Sequence, residues 1–329
     1  ALLHVEIEAP FDMLADERPD EEEFPGKFRY TSDDGELVEL DIVLRTRGRL
    51  RRQRDVCSFP PLRLNFKKKE VKGTLFSGQD KLKLVSPCQH GLKSQQDLLL
   101  EYMAYRVLET LTDYSFGARL IRLSYVDTDD RLKSWTDYAF VIEDEGDIGK
   151  RLGLDKVRVA ENRFEDLDQP TTALAELFQY LISNHDYSVL KGAAGEYCCH
   201  NSVMYTREQT ANKRIPIPYD FDMSGLVDAD YAAPPSHLPI RLVRTRYYRG
   251  LCQPPEIMDA TIAHLLSKKQ EIIDLFRNQP ELSRLSRNRN IAYIKKFYAT
   301  LEDKSRLQEQ VLDRCRGRDR LEEMMAPEE

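Results

Sequence analysis

The sequence predicts an α+β fold with two segregated lobes, a β-rich N-terminal lobe and a mainly helical C-terminal lobe. In the first third of the chain, several short segments alternate apolar and polar residues with the period of two that a half-buried strand requires. A long segment at about 92–112 and the residues from about 255 onward instead place apolar residues at three- and four-residue steps, as amphipathic helices do. We therefore expect a β-rich lobe with one long helix over 1–143 and a mainly helical lobe over 144–329.

Composition narrows the classes of function. The 329 residues suffice for a sizeable core, and 49 basic against 56 acidic residues give a net charge of −7. This balance gives no general reason to expect nucleic acid as a partner. No apolar run approaches the roughly 18 residues of a membrane-spanning helix, so we expect a chain that does not cross a membrane.

The individual elements follow from local patterns. In chain order, we predict strands at 3–8, 36–46, 60–66, 81–85, 119–126 and 137–143, a helix at 170–184, and strands at 202–206 and 215–219. The acidic run at 16–23, closed by Pro25 and Gly26, is typical of a solvated loop. The arginine-rich run at 45–54 has two interpretations, a phosphate-binding surface or, as we prefer, a solvated hairpin edge.

Six cysteines in 329 residues are too few for a disulfide-stapled scaffold. We favour separate thiols, with scattered disulfides, for example Cys57 with Cys88, as the alternative. The given chain begins at Ala1, which would fit removal of a secretory signal and an envelope, periplasmic or secreted location.

Three polar segments stand where strands or helices are predicted to end. Asn184-His185-Asp186 follows the helix at 170–184, Asn201 precedes the strand at 202–206, and Asp220-Phe221-Asp222 follows the apolar strand at 215–219. Carboxylate and amide oxygens are the ligands that Mg²⁺ prefers, and a nearby carboxylate can accept the proton of a hydroxyl. Asp-x-Asp pairs are also common in ordinary turns, so the order of the three segments carries more weight than any one of them.

This order resembles the CotH-type atypical kinase family, distant relatives of protein kinases that include spore-coat kinases. The family has an Asp after a helix, then an Asn-x-x-x-Tyr strand, then a Pro-containing strand ending in Asp-x-Asp. Here these features match Asp186, Asn201 to Tyr205, and Pro218 to Asp222. The upstream part matches more loosely, through Arg47-Gly48-Arg49, the basic strand from Leu62 to Lys69, and the strand with Lys81 and Lys83 before the long helix.

The resemblance implies a two-lobed, atypical protein-kinase-like fold that binds ATP with Mg²⁺ or Mn²⁺. It implies that Asp186 acts on the substrate hydroxyl and that Asn201 and Asp220 hold the metal, with Asp222 a second ligand or a structural partner. Lys83, or else Lys81, would hold phosphates.

The same resemblance implies that Glu101 pairs with the phosphate-holding lysine. A solvated carboxylate on the helix surface is an equal interpretation of Glu101. The strand ending at Glu143 would lead to the purine-binding hinge. The acceptor would be a hydroxyl of a protein or a small molecule.

The sequence departs from ordinary kinases in three ways. The interval from Asp186 to Asp220 is longer, Asp222 stands where their metal-binding motif has glycine, and no Gly-x-Gly-x-x-Gly occurs. With 15 glycines in 329 residues, only Gly73 and Gly78 lie where a phosphate-covering turn is expected. Lysine, arginine and metal would then replace much of what backbone amides do in a glycine-rich loop.

The leading hypothesis is an ATP- and metal-dependent phosphotransferase. The alternatives are a catalytically inactive kinase-like envelope or scaffold protein, and a metal-dependent phosphodiesterase or glycosyltransferase that uses the Asp-x-Asp pair. A basic and aromatic cluster at 241–249 either binds an acidic substrate or, as we prefer, fixes the loop at Asp220 to Gly225 by ion pairs.

Overall fold

The computed structural model describes residues 2–19, 21–193, 195–207, 213–319 and 321. The chain divides into two compact units. The first comprises the residues up to Tyr102 together with Gly117–Asp147, and the second comprises Met103–Phe116 and the residues from Ile148 onward.

The first unit is a closed barrel of seven strands. In chain order these are β1 (Leu3–Ala9), β2 (Phe24–Thr31), β3 (Leu37–Thr46), β4 (Leu62–Phe66), β5 (Lys81–Val85), β6 (Ala118–Asp127) and β7 (Trp135–Ile142). Their order around the barrel is β1-β2-β3-β4-β5-β7-β6. All neighbours are antiparallel except β1 and β6, which run parallel from Leu3 opposite Ile121 to Ala9 opposite Asp127 and close the barrel.

Alternating apolar residues fill the barrel. In β3, for example, Leu40, Ile42 and Leu44 are buried while the residues between them are less so, because successive strand side chains point to opposite faces. The short helix α1 (Phe11–Asp16) adds Phe11, which is fully buried. Burying one such side chain contributes about 1.5–3 kcal/mol to folding.

The predicted two-lobed, atypical protein-kinase-like α+β fold is wrong. The strands of the N-terminal half form a closed barrel of mixed direction, and a small sheet and helices make up much of the remainder. Alternation of apolar and polar residues predicts where strands lie, but it does not indicate which strands pair. The parallel pairing of β1 with a strand more than a hundred residues later leaves no local signal.

Strand β2 was absent from the sequence-based expectation, because Pro25 and Gly26 were interpreted as the end of a loop. Both residues instead lie within the strand. A side chain at Gly26 would come within 2.7 Å of a Leu44 methyl carbon and 2.8 Å of the Glu8 carbonyl oxygen, so glycine allows three strands to approach closely here.

The second unit combines a three-stranded sheet with helices. Its strands, in the order β10-β9-β8, are β8 (Asp155–Val157), β9 (Ser202–Thr206) and β10 (Arg214–Pro218). The helices that follow β7 are α3 (Glu145–Leu152), α4 (Gln169–Ile182), α5 (Pro255–Ser267), α6 (Lys269–Arg277), α7 (Arg284–Glu302) and α8 (Lys304–Gln310). The long helix α2 (Leu92–Leu111) contributes its first part to the first unit and its remainder to the second. Among the described residues, no helix is both long and apolar enough to cross a membrane.

All six cysteines form disulfides, so the preferred interpretation of separate thiols is wrong and the alternative pairing of Cys57 with Cys88 is present. Cys198 pairs with its neighbour Cys199, and Cys252 pairs with Cys315. Beside the last bond, Cys252 N–H donates to the Arg316 carbonyl at 2.9 Å and Arg316 N–H donates to the Gly250 carbonyl at 2.9 Å. The segment around Arg316 is thus fastened to the segment around Leu251 by a covalent bond and two hydrogen bonds.

A carboxylate lies inside the helical part of the second unit. Glu176 in α4 is fully buried, and its Oε2 accepts a hydrogen bond from Leu251 N–H at 2.7 Å. Burial raises the pKa of Glu176 to about 7, against the opposing effects of that hydrogen bond and of the Arg316 and Arg249 charges. Below about pH 7, Glu176 is therefore mainly protonated in the folded protein.

We expect Glu176 to make the second unit less stable as the pH rises. Its pKa is higher in the folded than in the unfolded state, so its favourable contribution is complete below about pH 4.5 and is lost as the pH rises through about 7. The rise from 4.5 to about 7 corresponds to about 3 kcal/mol in the free energy of unfolding. Glu176→Gln should therefore stabilise the protein at pH 8 relative to the wild type and change little at pH 4.5.

Urea unfolding at both pH values measures this difference. Glu309→Gln, at an exposed position of α8, is the matched control and should behave as the wild type at both. An equal effect of Glu176→Gln at both pH values would contradict the assignment.

Candidate functional site

Helix α4 delivers Asp186 to its place in the second unit. The Asp168 carboxylate caps the start of α4 by accepting from Thr171 N–H at 3.1 Å, and Ser183, which caps its C-terminal end, has a left-handed φ of 54°. Three residues beyond Ser183, Asp186 N–H donates to Asn184 Oδ1 at 3.0 Å, so a tight polar turn follows the helix. The Asp186 side chain is about 39% exposed, which leaves it accessible.

The hairpin of β9 and β10 delivers the other two predicted segments to one end of the small sheet. Ser202 pairs with Pro218, and just beyond this pair Tyr219 N–H donates to the Asn201 carbonyl at 3.1 Å. Asn201 and Asp220 both have left-handed φ values, 50° and 64°. Asn and Asp tolerate this conformation better than most residues, which explains their presence at these two corners.

Asp186 and Asn201 are in direct contact. Asn201 Nδ2 donates to the Asp186 carbonyl oxygen at 2.7 Å and to Asp186 Oδ2 at 3.0 Å. Asn201 is also buried, so its amide is held in one orientation. Because the nitrogen of the amide faces Asp186, its oxygen Oδ1 remains as the atom that a cation would contact.

His200 holds the other oxygen of the same carboxylate. Its Nε2 lies 2.8 Å from Asp186 Oδ1. This hydrogen bond is the largest influence that raises the pKa of His200, and the charges of Asp186, Asp220 and Glu196 raise it further while burial lowers it. His200 was not predicted from the sequence; its position next to Asn201 was the available signal.

The two aspartates of the Asp-x-Asp pair differ in their surroundings. Asp222 is buried and its Oδ2 accepts from the Tyr231 hydroxyl at 2.9 Å, an arrangement that suits a structural partner. Asp220 is half-buried, and its backbone N–H donates to the Tyr105 hydroxyl at 3.0 Å. Within the described residues, the Asp220 carboxylate has no hydrogen bond or ion pair.

The donor set fits a hard divalent cation. An amide oxygen at Asn201 and an uncommitted carboxylate at Asp220 are the ligand types that Mg²⁺ and Mn²⁺ take, and Mg²⁺ usually completes its shell with water and substrate phosphates. Among the described residues there is no group of three or more His, Cys, Asp or Glu side chains arranged around a metal position. The ligands that we predict here are one carboxylate, at Asp220, and one amide oxygen, at Asn201.

Among the described residues, the basic and aromatic cluster at 241–249 contacts backbone carbonyls, and it forms none of the expected ion pairs with the loop at Asp220 to Gly225. Arg246 donates from Nε and Nη2 to the Leu181 carbonyl at 3.1 and 2.9 Å, and Arg249 donates to the His185 carbonyl. Both guanidinium groups therefore support the end of α4 and the turn that carries Asp186. The His185 ring is itself buried, and burial lowers its pKa to about 4.

The predicted nucleotide-binding residues belong to the first unit. Lys83 Nζ lies 3.1 Å from Glu145 Oε1, and the Lys83 side chain is about 19% exposed. Lys81 shares the outer face of β5 with Lys83 and is half-buried. Glu143 Oε2 accepts from Gly117 N–H at 2.9 Å.

Glu101 is buried, which contradicts its interpretation as a solvated helix carboxylate. Its Oε2 lies 3.4 Å from Nη1 of Arg51, which is itself buried and donates to the Ser86 carbonyl. Arg51 is therefore a buried partner of Glu101, and at this residue the interpretation of the basic run as a solvated hairpin edge is wrong. Arg51 and Glu145 are partners that the sequence analysis did not find; each is distant in sequence from the residue it contacts. The pairing of Lys83 with Glu101 stays a prediction.

Comparison of the chain with protein-family models, with curated proteins and with solved structures finds no match.

Proposed function

We propose that this protein is a Mg²⁺- or Mn²⁺-dependent phosphotransferase that transfers the γ-phosphate of ATP to a hydroxyl group. The observation that carries the proposal is the clamp of Asn201 on Asp186, at the end of the hairpin that also leads to Asp220. The Asn201 side chain thereby connects Asp186, the candidate base, to the candidate cation site at Asn201 and Asp220. The proposal depends on the chemistry of these residues and not on a kinase-like fold, since the same chemistry occurs on unrelated folds.

Asp186 would accept the proton of the acceptor hydroxyl. Its two oxygens are held from separate directions by His200 Nε2 and Asn201 Nδ2, and its side chain is partly exposed. A carboxylate fixed in this way keeps one orientation toward a substrate, which is what general base catalysis requires. The acceptor is a hydroxyl of a protein or a small molecule.

Asn201 Oδ1 and the Asp220 carboxylate would hold the metal, with Asp222 fixing the turn through Tyr231. When bound, the metal neutralises charge on the phosphates of ATP. The chain's own contribution is to keep the two ligands in place. Tyr219 N–H, donating to the Asn201 carbonyl, and the Tyr105 hydroxyl, accepting from Asp220 N–H, both fix the backbone that carries them.

Asp220→Ala should abolish metal-dependent binding of ATP. For the wild type, saturating ATP with Mg²⁺ or Mn²⁺ should raise Tm by about 5 °C, because a ligand that binds only the folded state at about 100 times its Kd adds about 2.7 kcal/mol. The variant should show no such rise, since it lacks the carboxylate that would hold the metal. Differential scanning fluorimetry with ATP, with metal and with both measures the effect.

Asp259→Ala, at an exposed position of α5, is the matched control and should keep the full rise in Tm. If the wild type shows no rise that needs both ATP and metal, the proposal fails. Stabilisation without any transfer of phosphate would instead identify a binding protein without catalytic activity.

Asp186→Asn should remove catalysis and spare binding. Asn keeps the size of the side chain and an oxygen that can accept from Asn201, but it is no longer a base. We expect kcat to fall by about 10²- to 10³-fold while the metal-dependent rise in Tm remains. Transfer of labelled phosphate from ATP to a panel of protein and small-molecule hydroxyls measures kcat, and unchanged transfer would rule out Asp186 as the base.

Lys83→Met and Lys81→Met separate the two candidate phosphate ligands. We assign the phosphate-binding role to Lys83, since Glu145 Oε1 lies 3.1 Å from its Nζ and holds the side chain in place. Lys83→Met should therefore raise the KM for ATP by about tenfold or more, through loss of a charge-assisted contact. Lys81→Met, on the same face of β5, should leave that KM within about twofold, and the reverse result would transfer the role to Lys81.

A further inference from the structure

Strand β7 of the barrel has a carboxylate on its inward face. Trp135, Asp137 and Ala139 alternate with outward residues, and Asp137 stands opposite Leu123, a fully buried residue of the barrel core. The same alternation places Trp135 opposite Tyr125. An inward position beside such neighbours normally has an apolar residue, so the charge at Asp137 needs a separate explanation.

Asp137 lines a small, partly open pocket in this unit, with a volume of about 10 Å³, which is room for one water-sized group. The other lining residues are Ser58, Phe59, Ser86, Pro87, Gln89, His90, Tyr125 and Trp135. The wall opposite β7 is firmly held, because Cys57 is bonded to Cys88 and Ser58 N–H donates to the Cys88 carbonyl at 2.8 Å. This side of the pocket therefore needs little ordering when a water-sized ammonium group enters, which lowers the entropic cost of binding.

The Asp137 carboxylate has no hydrogen bond and no ion pair among the residues that the structure describes. Burial raises its pKa, while the more distant charges of His90 and Arg122 lower it. The Arg122 guanidinium lies 4.5 Å from the centre of the Tyr138 ring, and His90 lies at the exposed rim. A half-buried carboxylate without a partner is unfavourable, and a cation from outside the chain would relieve this cost.

Three aromatic rings line the same pocket as the carboxylate. Tyr125 and Trp135 are stacked with their centres 4.5 Å apart, and the Phe59 ring lies 5.6 Å from the first and 5.8 Å from the second. The Tyr125 hydroxyl is already bonded to Ser86 Oγ at 2.8 Å. Aromatic rings attract cations and give no comparable attraction to anions.

We propose that this pocket binds a primary ammonium group, carried by a small alkylamine or by a lysine side chain. The ammonium would lie between Asp137 and the rings of Trp135, Tyr125 and Phe59. A compact ammonium suits a single carboxylate in a small pocket, whereas a guanidinium is broader and favours a two-point contact with an accessible carboxylate. The site is separate from the proposed phosphotransfer chemistry and does not depend on it.

Trp135 allows a direct test, because it is the only tryptophan of the chain. Tryptophan fluorescence of the full-length protein is followed while n-butylammonium chloride replaces sodium chloride at constant chloride. A second titration uses N-acetyl-lysine amide, which represents a lysine side chain, and a third uses 1-butanol as the neutral control. We expect a saturable change with one or both amines and none with the alcohol.

Asp137→Asn keeps the shape of the side chain and removes its charge. We expect it to weaken amine binding by at least about tenfold, as loss of a charged hydrogen-bond partner does. Asp129→Asn, at an exposed position just after β6, should bind as the wild type does. Thermal melting shows that both variants are folded.

Tighter binding of the blocked lysine would identify a side chain as the source of the ammonium, and tighter binding of the alkylamine would identify a small molecule. The absence of saturation with both amines would overturn the proposal. An equal response to 1-butanol, or unchanged binding by folded Asp137→Asn, would also overturn it.

Discussion

The parallel pairing of β1 with β6 is the interaction on which the first unit depends. Six of the seven neighbour pairs in this unit are antiparallel, and they would leave an open ladder with β1 at one edge and β6 at the other. The register from Leu3 opposite Ile121 to Ala9 opposite Asp127 joins these edges. Closure removes two free strand edges and creates an enclosed apolar interior. A carboxylate such as Asp137 is unusual on a strand face that points into such an interior.

In the second unit, short turns at the ends of helices and strands position the polar residues, whereas the first unit depends on a long-range strand pairing. Ser183, Asn201 and Asp220 all have left-handed backbone conformations, and each lies where a helix or strand ends. Side-chain and backbone hydrogen bonds then connect the turns to one another, with Asn201 contacting Asp186 and Tyr219 N–H donating to the Asn201 carbonyl. Rigid elements and short connections of this kind keep reactive groups in one geometry.

Local pattern predicted much of the secondary structure but not its assembly. The helix at 92–112 and the strands at 81–85 and 202–206 are found within a residue of their expected bounds, because hydrophobic periodicity reports directly on one face of an element. The kinase-like architecture was wrong because strand pairing over long sequence separations has no periodic signal. Pro25 and Gly26 were misinterpreted for a related reason, since the need for glycine at 26 comes from Leu44 and Glu8 in neighbouring strands.

In the candidate site, too, the local features were predictable from the sequence and the long-range contacts were not. Asp186, Asn201 and Asp220 were identified from polar residues at the ends of predicted elements, and the contact of Asp186 with Asn201 follows from where those elements end. The contacts of Arg51 with Glu101 and of Lys83 with Glu145 join residues far apart in the chain. Such contacts depend on tertiary packing, and the sequence offered no spacing from which to infer them.

The fastening of Arg316 to the segment around Leu251 affects how the second unit is made during synthesis. Arg249, two residues before Leu251, donates to the carbonyl of His185, beside Asp186, and Arg316 Nε donates to the Arg249 carbonyl. The surroundings of Asp186 therefore include a residue translated more than a hundred positions later. A nascent chain stopped before Cys315 would have α4 and the hairpin but not this support. The ribosome must therefore release almost the whole described chain before the turn at Asp186 has all its contacts.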